Sequence, residues 1–225
     1  MKVFEKLYKL ENGELINYLK TLLKDRKFLN NMAGAWFLVD KPKLLFIAHR
    51  DTVRKPAGVV IFNNYIISPV IDNRLGMNLG VNLAKTFNFI DILITDGEET
   101  GMSTARFIPK KMLDKYNWIF SIDRMGKYPV TYHHYNKMAY KSLINIFGSV
   151  AHGTFSDISE INEVFSINFP AGHQSDHQEL NYANLDDVED CYSKIVRFII
   201  ENKDIRYRNE HKKFDDFNFY NRWWY

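Results

Sequence analysis

The sequence predicts a single α/β domain with a mixed, mostly parallel sheet flanked by helices on both faces, and three observations carry that expectation. Two apolar runs, residues 44–48 and 90–95, have the length and composition of buried parallel strands. Apolar residues at helical spacing follow them, over 74–87 and again at Val188, Cys191, Tyr192, Ile195, Val196 and Ile199. Acidic and histidine side chains gather directly after the apolar runs, where α/β sheets place their chemistry. A length of 225 residues is ample for one such core and short for two. We expect a catalytic domain over 1–201 and a tail over 202–225.

The elements follow in order. Asn12-Gly13 precedes a helix whose apolar face is Leu15, Ile16, Leu19, Leu22 and Leu23. Strands over 35–39 and 44–48 are joined by the turn Asp40-Lys41-Pro42-Lys43. Runs over 59–62 and 65–67 flank Asn63-Asn64 as a hairpin, which keeps His49 and Asp72 apart in sequence while a sheet can hold them together. In the helix over 74–87, Gly76 and Gly80 point to close packing. A short helix over 101–107 is stopped by Pro109, and its N-terminus would lie close to the preceding acids. A strand over 118–122, a helix over 137–147, a strand over 164–169 and a last helix to about residue 200 complete the domain. Cys191 falls on the apolar face of that helix and reads as core.

Composition excludes several classes. Apolar content of 46% with 25% charged residues is that of an ordinary globular chain. A net charge of +3, with no basic cluster interleaved with aromatics, gives no case for nucleic acid. One cysteine rules out an internal disulfide. MKVFEKLYKL carries charges inside its apolar part, unlike a signal peptide, and no run reaches membrane-spanning length, so the expectation is a soluble cytoplasmic protein. Phe214, Phe217, Phe219, Tyr220, Trp223, Trp224 and Tyr225 make the tail dense in aromatics, which fits a covered surface on this chain or on a second copy in a homo-oligomer.

Five motifs carry chemistry. His49-Arg50-Asp51 ends the first apolar run. An imidazole with a carboxylate two residues on suits a metal ligand held in one tautomer, or a pair of ligands, though alone the motif reads first as a satisfied histidine near a strand end. Asp96-Gly97-Glu98-Glu99 ends the second run, and packing so many acids after a hydrophobic strand creates repulsion that a cation relieves. Between them stands Asp72-Asn73-Arg74-Leu75-Gly76, in which Asp72 by itself reads as the N-cap of the next helix. Asp123 follows the strand over 118–122, and Gly172-His173-Gln174-Ser175-Asp176-His177 follows the run over 164–169. The adjacent His133 and His134 would point to opposite faces of a strand and cannot easily share one ion.

H-x-D, D-N-R-x-G, E-E-x-G, a strand-end acid and a late histidine, in that order, resemble the co-catalytic two-zinc exopeptidases: double-zinc aminopeptidases, glutamyl aminopeptidases, glutamate carboxypeptidase and their relatives. The resemblance spans roughly residues 44–200. It implies that Asp72 bridges two zinc ions, that His49 and Asp123 complete one site, and that Glu99 and His177 complete the other; cobalt or manganese would suit the same donors. It further implies Asp51 orienting His49 and Glu98 as general base. His177 is favoured over His173 because it stands at the family's spacing from the final helix, although Asn181 occupies the position of the family's acid. Gly153-Thr154-Phe155-Ser156-Asp157 is similar to a G-x-x-S-D element that lies near the family's site without supplying a principal ligand, and His152 beside it is a candidate substrate contact. The interval between Asp123 and His177 is too short for the inserted lid domain of larger members. What is implied is an aminopeptidase or dipeptidase acting on small peptides. The residues leave open another amidohydrolase acting on acylated amino acids or cell-wall peptides, a glutaminyl-cyclase-like acyltransferase, and a silent binding module that keeps the fold.

Overall fold

Chain geometry was taken from a computed structural model, which describes residues 2–174 and 181–210. The strands are β1 (Lys27–Asn31), β2 (Gly34–Leu38), β3 (Leu44–His49), β4 (Val60–Phe62), β5 (Tyr65–Ser68), β6 (Ile90–Thr95), β7 (Trp118–Arg124), β8 (Val130–Thr131), β9 (Ala151–His152), β10 (Ser166–Pro170), β11 (His173–Gln174) and β12 (Asn181–Asn184). The helices are α1 (Asn12–Leu22), α2 (Ile71–Thr86), α3 (Lys110–Leu113), α4 (Lys137–Phe147) and α5 (Leu185–Asn202).

Eight strands form the main sheet in the order β1-β2-β6-β3-β7-β10-β8-β9. Its centre, β6-β3-β7-β10, is parallel, and every residue of β3 and β6 is buried, as the unbroken apolar runs require. Although β2 and β3 are joined by a short turn, β6 lies between them, with β2 antiparallel to it. The expected hairpin forms with Asn63 (φ 43°) and Asn64 (φ 68°) both left-handed, as a two-residue primed turn demands. It belongs to a second, antiparallel sheet, β11-β12-β5-β4, so the main sheet does not hold His49 and Asp72 together through it.

The two faces of the main sheet are covered differently. On one, α1, α2, α4 and α5 pack against Phe46, Ile92, Trp118, Phe120 and Phe169. On the other, Trp36, Leu45, Ile47, Leu93 and Ile119 are covered by α3 and by the 3-10 turns Thr104–Phe107 and Asp157–Glu160. The segment read as a helix over 101–107 is a pair of 3-10 turns, Glu98–Thr100 and Thr104–Phe107, separated by the left-handed Gly101. The acids therefore have no regular helix start beside them. Residues after Asn202 stay on the domain as far as Glu210: Tyr207 is buried and its N–H donates to the Asn117 carbonyl. The aromatic part of the tail lies outside the described residues. Among the described residues no helix is long and apolar enough to cross a membrane.

Two glycines set how closely α2 approaches the sheet. A Cβ on Gly76 would stand 1.4 Å from the carbonyl oxygen of Ile122 in β7, and one on Gly80 would stand 2.0 Å from the Phe46 ring. The first obstacle is main chain of a central strand, the second a side chain that can shift. We expect Gly76→Ala to destabilise the fold by about 1–3 kcal/mol through overpacking, despite a gain of about 1 kcal/mol in helix propensity. Gly80→Ala should lose less. Urea unfolding midpoints of both variants check this, and equal tolerance at Gly76 would show that α2 does not rest on the β7 backbone.

Candidate metal centre

The C-terminal ends of β3, β6 and β7 point to the same edge of the sheet, and the sequence motifs converge there. His49 closes β3 and is 1% exposed. Its Nδ1 lies 2.9 Å from the main-chain carbonyl of Asp51, closer than the Asp51 carboxylate at 3.5 Å. With Nδ1 donating to that carbonyl, the ring turns Nε2 toward Asp123 Oδ2 at 3.4 Å and Glu98 Oε2 at 3.8 Å. The main chain of Asp51 thus orients the ring. Its carboxylate instead accepts the Glu99 N–H at 3.0 Å, which ties the end of β3 to the acidic loop.

Asp72 and Asp123 approach from α2 and β7. Asp72 (φ −51°, ψ 129°) and Asn73 (φ 58°) break the helical path at the start of α2, so the chain bends into the site before the regular helix begins. The Asn73 N–H donates to Asp123 Oδ1 at 3.1 Å, and the Asp72 carboxyl shares a hydrogen bond with Asp123. Glu98 and Glu99 follow β6 in the 3-10 turn between left-handed Gly97 and Gly101.

The electrostatics show what this clustering costs. Burial alone would lower the His49 pKa, but the facing Asp123 carboxylate reverses that and raises it well above 6.5. Asp123 is held well below the usual carboxylate range because His49 outweighs its burial. Asp72 is pushed well up by burial and by Asp123 beside it, and Glu98 rises to about 8 by burial, with Asp123, Asp157 and Glu99 adding to the rise. Five carboxylates around one imidazole cannot all stay ionised unless positive charge enters among them.

The donors fit that charge being metal. His49, Glu98 and Asp123 offer ligand atoms all within 4.8 Å of one another, and so do His49, Asp72 and Glu99. His49 Nε2 is buried and has no well-formed hydrogen bond among the described residues, which leaves a ring nitrogen aimed at the carboxylates with its bonding capacity unsatisfied. One imidazole nitrogen with carboxylate oxygens is a donor set for zinc, cobalt or manganese. Glu98 falls in one of the two sets, so position alone does not separate a base from a ligand there.

Other sequence candidates are placed as follows. His177 lies outside the described residues. Asn181, four positions on, borders the hollow that Asp72 and Glu99 also line. His173 is fully buried on β11 and stands among the groups that hold the Asp123 pKa low. His152 is on the edge strand β9 against Tyr140, four strands from β3. His133 and His134 do not diverge as strand neighbours would. The chain has left β8 there, their rings lie 4.1 Å apart, and both Nε2 atoms face the Ile161 carbonyl. His134 is buried and its pKa falls to about 4, through burial first and His133 second, so it is a neutral core residue. A cavity of about 360 Å³ between α1 and the β1-β2 hairpin has Arg50 and Asp96 in its wall but none of the clustered ligands.

Several supporting residues went unread in the sequence. Asn168 on β10 accepts the Asp123 N–H at 3.0 Å. Arg74, wholly buried, donates to the Arg50 carbonyl at 3.0 Å and so braces the H-x-D segment from α2. A polar residue inside the β10 run and an arginine on an otherwise apolar helix face were the available signals.

No protein family and no curated protein matches this sequence at a significant level. Solved structures do match. The aminopeptidase PepT from Bacillus cereus superposes with a TM-score of 0.69 at 12% identity, covering 88% of this chain and 96% of that one. A tripeptidase from Staphylococcus aureus gives 0.67 at 13% identity, covering 87% and 95%. An endoglucanase from Thermotoga maritima gives 0.62 at 10% identity, covering 90% and 98%. At such identities the likeness is one of fold, and one fold can host several chemistries. The chain has the fold that these aminopeptidase, tripeptidase and endoglucanase structures share.

Proposed function

We propose that this protein is a metal-dependent hydrolase of amide bonds, an aminopeptidase or dipeptidase in type, with two zinc-class ions held among His49, Asp72, Glu99, Asp123 and His177. The observation that carries the reading is the meeting of His49, Asp72, Glu98, Glu99 and Asp123 at one sheet edge, in two overlapping sets of close donors. Asp72 is the bridging candidate, since it reaches toward both Asp123 and Glu99.

Bound there, two divalent ions would supply Lewis acidity toward an amide carbonyl and would lower the pKa of water toward neutrality. The chain's own work is positioning and proton transfer. Asp51 holds His49 through its carbonyl and Glu99 through its carboxylate, so the ligand histidine and the acidic loop move as one unit. Burial and the neighbouring acids raise the Glu98 pKa to about 8 against the pull of His49, and further positive charge beside it would lower it into the range of a working base. It takes a proton from the attacking water and delivers it to the leaving amine. Small peptides suit a site with no inserted lid. The fold match to an endoglucanase makes glycoside cleavage the reading to exclude, and a panel of aminoacyl anilides, dipeptides, acyl-amino acids and carboxymethylcellulose should show turnover of amides alone.

The purified protein should hold up to two zinc, cobalt or manganese ions per chain after reconstitution, measured by elemental analysis. If none binds above background, the site is misassigned. Glu98→Gln should keep its metal and lose activity by a factor of about 10² to 10⁴, whereas Glu99→Gln should bind metal more weakly and recover in part with excess zinc. Bound metal and turnover across a zinc titration separate the two, and the reverse pattern would mean that the glutamates have exchanged roles. For the terminal ligand, His177→Ala should lose one ion and most activity. His173→Ala should be milder, and the opposite ranking would move the ligand to His173.

A further inference from the structure

Asp157 is 2% exposed and opens the 3-10 turn Asp157–Glu160, whose start is fixed by reciprocal hydrogen bonds between Ser156 and Ser159. Both of its carboxylate oxygens are used. Oδ2 accepts the Thr95 hydroxyl at 2.9 Å, and Oδ1 accepts the Ser103 hydroxyl. Thr95 is the last residue of β6, beside His49 in register, and Ser103 caps the 3-10 turn Thr104–Phe107 by accepting the Ala105 N–H. Both are buried. The chain between them, residues 96–102, carries Glu98 and Glu99. Its internal bonds run from the Met102 N–H to the Gly97 carbonyl and from the Thr104 N–H to the Asp96 carbonyl, each 2.9 Å, and from the Asp96 N–H to the Thr104 hydroxyl at 3.0 Å. These close the loop on itself, and the Thr104 hydroxyl also ties its far end to the Ala33 carbonyl at 2.9 Å. Asp157 ties both ends to the second face of the sheet, from a turn that packs against β3, β7 and β10.

We infer that Asp157 is a positioning residue, which pins both ends of the 96–102 segment and so aims Glu98 and Glu99 at His49. The need is geometric: one planar, two-ended polar group must bridge Thr95 and Ser103 at once, in a place closed to water. Burial raises the Asp157 pKa to about 6, with His49 and the two hydroxyls pulling it back toward ionisation. The catalytic consequence rests on the proposed role of Glu98; the structural one does not.

The test has two independent arms. In the metal-free full-length protein, hydrogen exchange should show Asp157→Ala losing protection at the Asp96, Met102 and Thr104 amides, while amides of β3 and β7 keep theirs. Uniform loss, or none, would overturn the clamp. Asp157→Asn should stay close to wild type, because its Oδ1 can accept from Ser103 while its Nδ2 donates to Thr95 Oγ, whose own proton can turn to the Ala48 carbonyl at 3.2 Å. An asparagine variant as damaged as alanine would overturn the geometric account. Ser103→Ala, which removes one tie together with the cap on the Ala105 N–H, carries the same test at the Asp96 and Met102 amides should the alanine variant fail to fold. In the second arm, Asp157→Ala should lower kcat by up to about 10²-fold with KM nearly unchanged, and should add little further loss in a Glu98→Gln background. Multiplicative losses would mean that Asp157 does not act through Glu98. If wild-type protein hydrolyses no amide at all, the proposed function fails and the exchange arm alone decides the clamp.

Discussion

The contact between Gly76 and the Ile122 carbonyl places helix backbone directly against strand backbone. Because Ile122 is followed by Asp123, and because Asp72 stands one turn before Gly76, that closeness brings two carboxylates from different elements together. Any side chain at position 76 would lift the start of α2 from β7 and separate them. The kink at Asp72 and Asn73 completes the approach, with the Asn73 N–H donating to the very carboxylate that Asp72 faces. Close packing of a helix on a strand thus delivers acids to one point, and hydrogen bonds from Asn73 and Asp72 to Asp123 fix them there.

Electrostatic strain is the counterpart of that assembly. Buried carboxylates repel one another, and the pKa values of Asp72, Glu98 and Asp157 all rise in consequence of burial first and of neighbouring acids after. A fold tolerates such a cluster only where the backbone around it is heavily braced. Here the bracing comes from the Asp51 carboxylate on the Glu99 N–H, from Asn168 on the Asp123 N–H, from Arg74 on the Arg50 carbonyl and from Asp157 on Thr95 and Ser103. Each brace ties a strand end to a different neighbour, so the acids cannot relax apart by moving one loop. The same repulsion that costs stability in the bare site becomes affinity once a cation enters.

The unequal covering of the sheet fits this arrangement. Long helices pack one face and make a stiff base of Trp118, Phe120, Phe169 and Phe198 in mutual edge contact. The other face is covered by short turns, and it is from there that Asp157 and Ser103 reach the acidic loop. Here the N-cap residues of the long helices are Glu11, Val70, Asn136 and Asn184, whereas those of two of the 3-10 turns on the other face are Ser103 and Ser156. The short elements are therefore suited to holding a loop in place rather than to building core.

How much was legible in advance can be argued from particular residues. The apolar runs of β3 and β6, the helical spacing of α4 and α5, and the left-handed pair Asn63-Asn64 are local matters of period and backbone preference, and they were readable because each is decided by residues near in sequence. The order of His49, Asp72, Glu98-Glu99 and Asp123 was readable as a resemblance, since it is a one-dimensional pattern. Local pattern did not reveal that β6 separates β2 from β3, that the Asn63-Asn64 hairpin joins a second sheet, or that His133 and His134 stack side by side. Nor did it show that the carbonyl of Asp51 lies nearer to His49 Nδ1 than its carboxylate does. The sequence by itself determined the periodicities, the buried strands and the inventory of metal-binding side chains, because those depend on residue type and spacing along the chain. Only the tertiary structure decided which of those side chains meet and what braces them, because strand order, the 1.4 Å clearance problem at Gly76 and the two-ended grip of Asp157 join residues far apart in sequence.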